Sequence, residues 1–232
     1  MTKIAIVSDI HGNIHALNTV LEYLDKECKV SKILNIGDFI QIGPNSTQVF
    51  DVVMNDKRFV NIMGNSEAMF FDDEIIKFYE KEKEHQQFVI NQLGKERMAR
   101  LKEVPLMNTV EIEGKKLFMV HARMNSVIST PLLYDEKTLK EFTSDYDVDA
   151  DYVLIGHTHF PLYALYWNWK PILNPGSLGC GKDGIAKFII MEIDDGVVNV
   201  LYKQLKYDKQ KVIEDYKTYS VPCSEKYIAM FY

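Results

Sequence analysis

Short apolar runs alternate with amphipathic stretches along the first quarter of the chain. Residues 4–7, 33–36 and 59–63 are apolar and rich in β-branched side chains, which is typical of buried strands. Between these runs, apolar residues recur at helical spacing over residues 14–24 and again over residues 49–54. This βαβαβ order predicts a largely parallel sheet with helices packed against it.

The stretch from residue 72 to residue 103 interrupts this alternation and is rich in Glu, Lys and Gln. Its apolar positions predict two helices that are broken near Gly94 and end before Pro105. Two interpretations stay open for this part of the chain. It forms either a helical cap, at about residues 68–104, or an ordinary pair of helices that covers a face of the sheet.

Strand signals resume in the second half of the chain. Two pairs of strand-like runs flank short glycine turns and therefore predict β-hairpins: residues 110–112 with 116–120, and residues 186–193 with 197–203. The remaining predicted elements are a buried strand at residues 152–155, a turn near Asn168 between residues 162–167 and 171–173, and a short helix with Leu139 and Phe142 that Asp135 caps.

These elements predict a single domain over residues 1–232, without an internal repeat or a low-complexity linker. The fold class is α/β, with either one mixed sheet or two sheets packed face to face between helices. The tail from Tyr207 onward is rich in tyrosine. It is expected to pack on the domain or on a second subunit, so a homo-oligomer is one of the open alternatives.

Composition narrows the class of function. With 47% hydrophobic residues, the 232-residue chain can bury a core without help from disulfides. The net charge of -6 argues against a nucleic-acid protein with a broad basic face. It does not argue against a small phosphorylated substrate, because bound divalent metals would supply positive charge locally.

The spacing of the cysteines and the lengths of the apolar runs indicate the cellular compartment in which the protein is expected. Cys28, Cys180 and Cys223 are far apart and form no C-x-x-C pair, so neither a disulfide framework nor a thiolate zinc site is expected. The segment before Asp9 lacks the apolar region of a signal peptide, and no run approaches the ~20 residues of a membrane helix. We therefore expect a cytoplasmic protein without a membrane partner.

The residues that follow five of the strand-like runs are all typical metal ligands. They are Asp9, His11, Asp38, Asn65, His121, His157 and His159. Because ligands bind in the crevice beyond the carboxyl ends of strands in α/β sheets, these side chains are expected to meet. In an extended segment residues i and i+2 point the same way, so Asp9 and His11, and likewise His157 and His159, are each expected to face one point.

This set of donors indicates the kind of metal site. Imidazole nitrogens, carboxylates and an amide oxygen suit Mn²⁺, Fe²⁺, Zn²⁺ or Ni²⁺ better than ions that prefer thiolates. Seven groups are too many for one tetrahedral site, and they suit two ions roughly 3.5–4 Å apart, bridged by a carboxylate and a water.

Each of these residues also has a structural interpretation. Asp9 could cap the following helix and Asp38 could sit in a turn. Repetition of the pattern at five strand ends favours the metal site over these separate explanations. The other polar and aromatic candidates are expected to be structural: His15 on the exposed side of the first helix, His85 in the charged helical stretch, and Trp167 and Trp169 in packing.

Several short motifs resemble one known family. They are Ser8-Asp9-Ile10-His11-Gly12-Asn13, Gly37-Asp38, Gly64-Asn65-Ser66-Glu67, Val120-His121-Ala122 and Gly156-His157-Thr158-His159. Together they resemble the calcineurin-like metallophosphoesterase superfamily, over about residues 3–177. The run Asn174-Pro175-Gly176-Ser177-Leu178-Gly179 resembles its small bacterial and archaeal branch, which includes proteins related to diadenosine tetraphosphatases. The resemblance implies a four-layer αββα sandwich of two mixed β-sheets flanked by helices.

The resemblance also implies a role for each site residue. The first metal would be held by Asp9, His11 and His159, the second by Asn65, His121 and His157, with Asp38 between them. Mn²⁺ is the favoured ion, and a metal-bridging hydroxide would attack phosphorus in line. Asp38, Asn65 and His121 would be the catalytic residues, Asn13, Asn65 and Arg123 would contact the substrate phosphate, and Glu67 would orient a ligand histidine.

One position departs from the family pattern. Many members carry a histidine that protonates the leaving oxygen where this chain has Ser66, and a hydroxyl is a poor general acid. Either another group donates this proton, or the substrate has a good leaving group, as an activated phosphodiester or a phosphoanhydride does. This favours a small nucleotide substrate, such as a dinucleoside polyphosphate. Two alternatives are a serine/threonine protein phosphatase, which needs an open groove, and a non-catalytic scaffold such as the retromer subunit of this fold, in which the metal site is impaired.

Overall fold

The computed structural model describes residues 1–124, 126–129, 137, 140–141, 144–165 and 170–232. Three predicted features lie outside the described residues. They are the short helix with Asp135, Leu139 and Phe142, the turn at Asn168, and the packing of Trp167 and Trp169.

Two mixed sheets of five strands each form the centre of the molecule. The strands are β1 (Thr2–Val7), β2 (Lys32–Asn35), β3 (Phe59–Asn61), β4 (Met107–Ile112), β5 (Lys115–Val120), β6 (Tyr152–Leu154), β7 (Leu162–Ala164), β8 (Ile172–Asn174), β9 (Ile185–Asp194) and β10 (Val197–Lys206). The first sheet has the order β10-β9-β1-β2-β3 and the second β4-β5-β6-β8-β7. The neighbours β1, β2 and β3 are parallel, as are β5, β6 and β8. The pairs β1/β9, β9/β10, β4/β5 and β7/β8 are antiparallel.

Helices flank the two sheets. The α-helices of the described ranges are α1 (Ile14–Tyr23), α2 (Ser46–Asn55), α3 (Asn65–Ala68), α4 (Asp73–Phe78), α5 (Lys83–Lys102), α6 (Lys209–Thr218) and α7 (Ser224–Phe231). A π-helical turn, Leu24–Cys28, extends α1, and a 3₁₀ turn, Glu80–Glu82, precedes α5. None of these helices combines the length and the apolar character needed to cross a membrane.

Burial along β1 shows how the layers form. Successive strand residues point to opposite faces, so Ile4 and Ile6 join the apolar core between the two sheets. Ala5 and Val7 instead join the core between the first sheet and the helices. Because both faces of β1 are covered, its residues form a continuous apolar run, as expected of a buried parallel strand. The prediction of two mixed sheets flanked by helices is confirmed.

The charged stretch after residue 68 forms one short α-helix, one 3₁₀ turn and one long α-helix. Helix α5 packs in the same apolar core as α1 and α2, through Val89, Leu93 and Leu101. The predicted break at Gly94 is present, with φ 69° and ψ 173° inside α5. The segment before α5 takes a different position, since Tyr79 and Glu82 line a cavity that is described below.

The tyrosine-rich tail packs on the domain itself. It forms α6 and α7, which hydrophobic spacing did not predict. Tyr216, Tyr227 and Tyr232 are buried in the core that also contains α1. The Tyr216 hydroxyl donates a hydrogen bond to the Ile42 carbonyl at 2.9 Å, which ties α6 to the loop after β2.

Tyr216 is therefore expected to contribute strongly to stability. Tyr216→Ala should lower the free energy of unfolding by about 3–5 kcal/mol, because it removes a fully buried aromatic side chain. The matched control is Tyr219→Ala at the end of the same helix, where 41% of the side chain is exposed and the change should stay within about 0.5 kcal/mol. Urea denaturation measures both variants, and equal effects would contradict the packing of the tail on this domain.

Candidate metal centre

The seven predicted ligands meet at one end of both sheets. Each one follows the carboxyl end of a parallel strand: Asp9 and His11 follow β1, Asp38 follows β2, Asn65 follows β3, His121 follows β5, and His157 and His159 follow β6. Since β1, β2 and β3 are neighbours in one sheet and β5 and β6 in the other, the site joins the two sheets. The prediction that these side chains come together is thus correct.

One group of side chains forms around Asp9. The Nε2 atoms of His11 and His159 lie 3.1 Å apart. The Asp9 Oδ1 atom lies 3.4 Å from His159 Nε2 and 3.8 Å from His11 Nε2. Two imidazole nitrogens at this separation repel each other when both present lone pairs, and a proton or a metal cation between them removes that repulsion.

A second group forms on the other side of Asp38. The Asn65 Oδ1 and His157 Nδ1 atoms are 2.8 Å apart, and the His121 and His157 rings have centroids 5.3 Å apart. His121 Nδ1 donates to the Ile36 carbonyl at 2.6 Å, which turns Nε2 towards the site. A backbone acceptor on one ring nitrogen is the usual way in which a protein orients a ligand histidine.

Asp38 lies between the two groups. Its Oδ2 atom is 3.6 Å from His11 Nε2, while its Oδ1 atom is 3.4 Å from His121 Nε2. The Ser66 backbone N–H donates to Oδ1 at 2.8 Å and holds the carboxylate in this orientation. Each carboxylate oxygen therefore faces one histidine of one group.

The backbone at the ligands is strained, which the sequence did not indicate. Asp9, His11, Asp38, His157 and His159 have φ angles of 53°, 46°, 54°, 67° and 60°. The expectation that the two i, i+2 pairs point together because they are extended is therefore wrong. A left-handed backbone costs an L-residue about 1–2 kcal/mol, and such residues persist only where the surroundings hold them.

Hydrogen bonds between neighbouring loops hold these strained residues. The backbone N–H groups of Asp9 and His11 donate to the carbonyls of Gly37 and Asp38, at 3.1 and 2.9 Å. On the other side, the Asp9 carbonyl accepts from the Gly179 N–H at 3.0 Å and from the Ser177 hydroxyl at 2.8 Å. The loop after β1 is thus fastened to two other loops.

Two glycines allow the ligand loops to approach closely. A Cβ atom on Gly64 would lie 2.1 Å from Asp38 Oδ1, and one on Gly156 would lie 2.0 Å from the Ser8 hydroxyl. Any larger residue would push the Asp38 carboxylate or the loop after β1 out of place. The glycines beside the ligands in the sequence therefore mark close packing between the ligand loops.

Glu67 has a different role from the predicted one. Instead its buried carboxylate accepts four backbone N–H groups, from Asp38 at 2.9 Å, Phe39 at 2.9 Å, Ile40 at 3.0 Å and Gly64 at 2.8 Å. Glu67 therefore fastens the loop that carries Asp38 to the loop that carries Asn65.

The buried donor atoms fit a divalent metal. Within the part of the chain that the structure describes, both carboxylate oxygens of Asp9 and the Nε2 atom of His121 are buried and have no hydrogen-bond partner. Buried polar atoms without a partner cost free energy, and a metal ion removes that cost by coordinating oxygen and nitrogen directly. Hard carboxylate oxygens with imidazoles suit first-row divalent ions.

Electrostatics at the site favour cations. Burial raises the pKa of Asp38, but the facing His121 more than offsets this and holds that pKa below its usual range. Burial likewise lowers the pKa of His121, yet the Asp38 carboxylate outweighs it and raises the pKa to about 10. His11 belongs to the other group of ligands, and there burial has the largest effect and lowers the pKa of His11 to about 4. Asp38 is thus an anion that requires a positive partner, and a divalent ion can replace the His121 proton in that role.

Asn13 and Arg123, both predicted to contact phosphate, do not reach the site. Asn13 is buried and caps α1, since its Oδ1 accepts from the Ala16 N–H at 2.9 Å and its Nδ2 donates to the Gly179 carbonyl at 2.8 Å. Arg123 pairs with Asp145 and lines a separate cavity with Met63. Neither side chain lines the cavity over the ligands, since each is engaged with other parts of the chain.

The two remaining histidines lie on the predicted helices, but both are packed against the C-terminal tail. His15 is only 25% exposed and pairs with Asp215 of α6 at 2.8 Å. His85 is fully buried in α5 and packs against the Tyr227 ring, with centroids 4.8 Å apart. Both partners come from the C-terminal tail, so neither environment could be derived from local spacing.

A cavity of about 200 Å³ opens over the ligands, and sequence reasoning missed most of its wall. Its outer wall includes Ser66, Tyr79 and Glu82, together with Lys226, Tyr227 and Phe231 of α7. Lys226 Nζ lies 3.4 Å from Glu82 Oε1 at the rim. The only signal for this wall was the tyrosine content of the tail, which does not reveal what the tail covers.

The role of Glu67 can be tested with Glu67→Gln. At pH 8 the carboxylate is ionised, although burial, with a contribution from Asp38, raises its pKa to about 7. The amide end of glutamine would face backbone N–H groups, so stability should fall by about 3 kcal/mol and metal affinity by about 10–100-fold. Denaturation and metal-competition titration measure the two effects, with Glu84→Gln on the exposed face of α5 as the control. Unchanged metal affinity would exclude a positioning role for Glu67.

Known proteins with similar sequences or folds were compared with this chain. An uncharacterised protein of Methanocaldococcus jannaschii is 26% identical over 228 residues, which cover 92% of this chain and 91% of that protein. The crystal structure of a hypothetical protein from Pyrococcus horikoshii OT3 has a TM-score of 0.83 at 20% identity, covering 100% of this chain and 98% of that one. A metallophosphoesterase from Sphaerobacter thermophilus has a TM-score of 0.77 at 22% identity, covering 99% and 97%.

These likenesses establish the fold over the whole length of the chain. The family model of the calcineurin-like phosphoesterase superfamily domain matches residues 2–196, which include all seven predicted ligands. The chain therefore belongs to the calcineurin-like phosphoesterase superfamily and is a metal-dependent phosphoesterase.

Proposed function

We propose that this phosphoesterase holds two divalent metal ions and hydrolyses a small phosphodiester or a nucleotide phosphoanhydride, such as a dinucleoside polyphosphate. Asp9, His11 and His159 form the first metal site, and Asn65, His121 and His157 form the second. Asp38 bridges the two sites. Mn²⁺ is the favoured ion, with Fe²⁺, Zn²⁺ and Ni²⁺ as the alternatives.

The position of Asp38 carries the proposal for two metals. Its two oxygens face His11 and His121, at 3.6 and 3.4 Å, and these histidines belong to different groups. A carboxylate whose two oxygens face separate sets of nitrogen donors is well placed to bridge two metal ions. When bound, such a metal pair supplies a water of lowered pKa and positive charge beside the phosphoryl oxygens.

The protein's own groups orient the proposed metal ligands and enclose the substrate. The Ser66 N–H holds the Asp38 carboxylate, and Glu67 holds the loop that carries it. Asn65 faces the cavity beside His157, where its amide can contact a phosphoryl oxygen. Because these groups are already in place, little reorganisation is needed when charge develops on phosphorus.

The cavity supports a small substrate with a good leaving group. Ser66 lines the cavity at the position where many relatives carry a histidine, and no histidine outside the proposed metal ligands lines it. An activated diester or a phosphoanhydride needs less proton transfer to its leaving oxygen than an alkyl monoester. The apolar side chains of Tyr79, Tyr227 and Phe231 suit the flat base of a nucleotide.

The two alternative functions are less well supported. A protein phosphatase needs an open groove, whereas α7 and the turn before α5 narrow the approach to this site, with Lys226 and Glu82 in contact at the rim. A scaffold protein does not need a complete ligand set, yet in this chain all seven positions carry residues of a ligand type and their side chains lie close together.

The bridging role predicts a large effect of Asp38→Asn. Hydrolysis of bis(p-nitrophenyl) phosphate with added Mn²⁺ should fall by at least about 100-fold. Loss of a metal ligand lowers metal affinity and activity more than loss of a residue that only orients a ligand. The number of metal ions bound per chain should fall from two towards one. Asp51→Asn is the control, since Asp51 is 38% exposed and pairs with Arg97 on the helical face.

Two results would reject the proposal. One is the absence of hydrolysis by the wild-type protein towards diesters, mononucleotides and dinucleoside polyphosphates with each of Mn²⁺, Fe²⁺, Zn²⁺ and Ni²⁺. The other is an Asp38→Asn protein that keeps both its metal content and its activity.

The leaving-group argument predicts the behaviour of Ser66→His. In the wild-type protein kcat/KM should fall steeply as the pKa of the leaving alcohol rises, because proton donation to the leaving oxygen is weak. Ser66→His should raise the rate for alkyl esters by about 10²-fold and leave aryl esters almost unchanged. A series of esters with graded leaving groups measures the slope, and an equally steep slope in both proteins would show that another group already donates the proton.

A further inference from the structure

Cys180 lies beside the first group of ligands, although cysteine spacing gave no reason to expect it there. Its Sγ atom and one ring nitrogen each of His11 and His159 all lie within 4.8 Å of one another. The thiol is 5% exposed and belongs to no disulfide. These distances place a sulfur atom where it can share a metal ion with two imidazoles.

The position of Cys180 is determined by the same loop that supports Asp9. The Cys180 N–H donates to the Ser177 hydroxyl at 2.8 Å, and that hydroxyl donates to the Asp9 carbonyl at 2.8 Å. On the other side, the Gly181 N–H donates to the Phe231 carbonyl of α7 at 3.1 Å. Backbone hydrogen bonds at Cys180 and at Gly181 therefore fix the loop that carries the sulfur near the metal site.

The surroundings of the thiol contain further buried donors. Both carboxylate oxygens of the fully buried Asp9 have no hydrogen-bond partner among the described residues. Asp9 Oδ1 is also 3.4 Å from His159 Nε2. The thiol and two imidazoles thus lie close enough to share one metal ion, and the Asp9 carboxylate lies beside one of those imidazoles.

We propose that Cys180 is a thiolate ligand of the first metal ion, together with Asp9, His11 and His159. This inference rests on the metal site of the proposed function and adds a donor to it. On binding, the sulfur forms a bond to the metal and the thiol proton passes to solvent. A thiolate makes the first site prefer Zn²⁺, Fe²⁺ or Co²⁺ over Mn²⁺, whereas the second site keeps only oxygen and nitrogen donors.

Cobalt binding tests the proposal by spectroscopy. The wild-type protein titrated with Co²⁺ should develop a near-ultraviolet thiolate-to-Co²⁺ charge-transfer band that saturates at one equivalent. Cys180→Ser should lose this band, while Cys223→Ser and Cys28→Ser should keep it. Circular dichroism and thermal melting confirm that each variant is folded.

A second measurement needs no variant. X-ray absorption at the zinc edge of wild-type protein loaded with one equivalent of Zn²⁺ should show one sulfur neighbour at about 2.3 Å. Bound metal with no sulfur neighbour and no charge-transfer band would overturn the proposal, as would a band that persists in Cys180→Ser.

The diester assay separates this inference from the proposed function. Hydrolysis by a protein whose metal has no sulfur neighbour would reject only the role of Cys180. A sulfur neighbour in a protein that hydrolyses none of the substrates would instead reject the proposed function and leave the thiolate ligand in place.

Discussion

Buried negative charge at the ends of the two sheets is the constraint on which the rest of this structure depends. The carboxylates of Asp9 and Asp38 are almost completely removed from solvent. Isolated buried charges are very costly, so the fold must bring positive charge or a metal ion to them. The His121 ring, whose pKa is raised to about 10, supplies such a charge beside Asp38, and the unpartnered donor atoms can bind a metal ion.

Holding these carboxylates in place explains many other features of the chain. Five of the seven proposed ligands have left-handed backbone conformations, which by themselves are unfavourable. The loops that carry them are fastened to each other by backbone hydrogen bonds, by the Glu67 carboxylate and by the Ser177 hydroxyl. Strain that is concentrated at a site and held by its surroundings is typical of residues kept in one geometry for binding or chemistry.

Much of the fold and most of the ligand set could be predicted before the structure was known. The alternation of strands and helices up to β3, the break at Gly94 and the two long hairpins all follow from local spacing and turn residues. Other features depend on contacts between distant parts of the chain. Glu67 lies 29 residues from Asp38 in sequence, and α7 reaches the cavity from the C-terminal end. Asn13 and Arg123 are close to ligands in sequence but lie outside the cavity over them, because neighbours in sequence need not face the same way.

The sequence by itself determined which donor types follow the strands and that these strands are parallel, because both depend on local apolar patterns and on residue chemistry. It could not determine the left-handed backbone of the ligands, the wall formed by α7 or the approach of Cys180 to His11 and His159. Those features come from loops that pack against one another across the ends of two sheets. Packing of that kind joins residues far apart in the chain, and no local pattern records it.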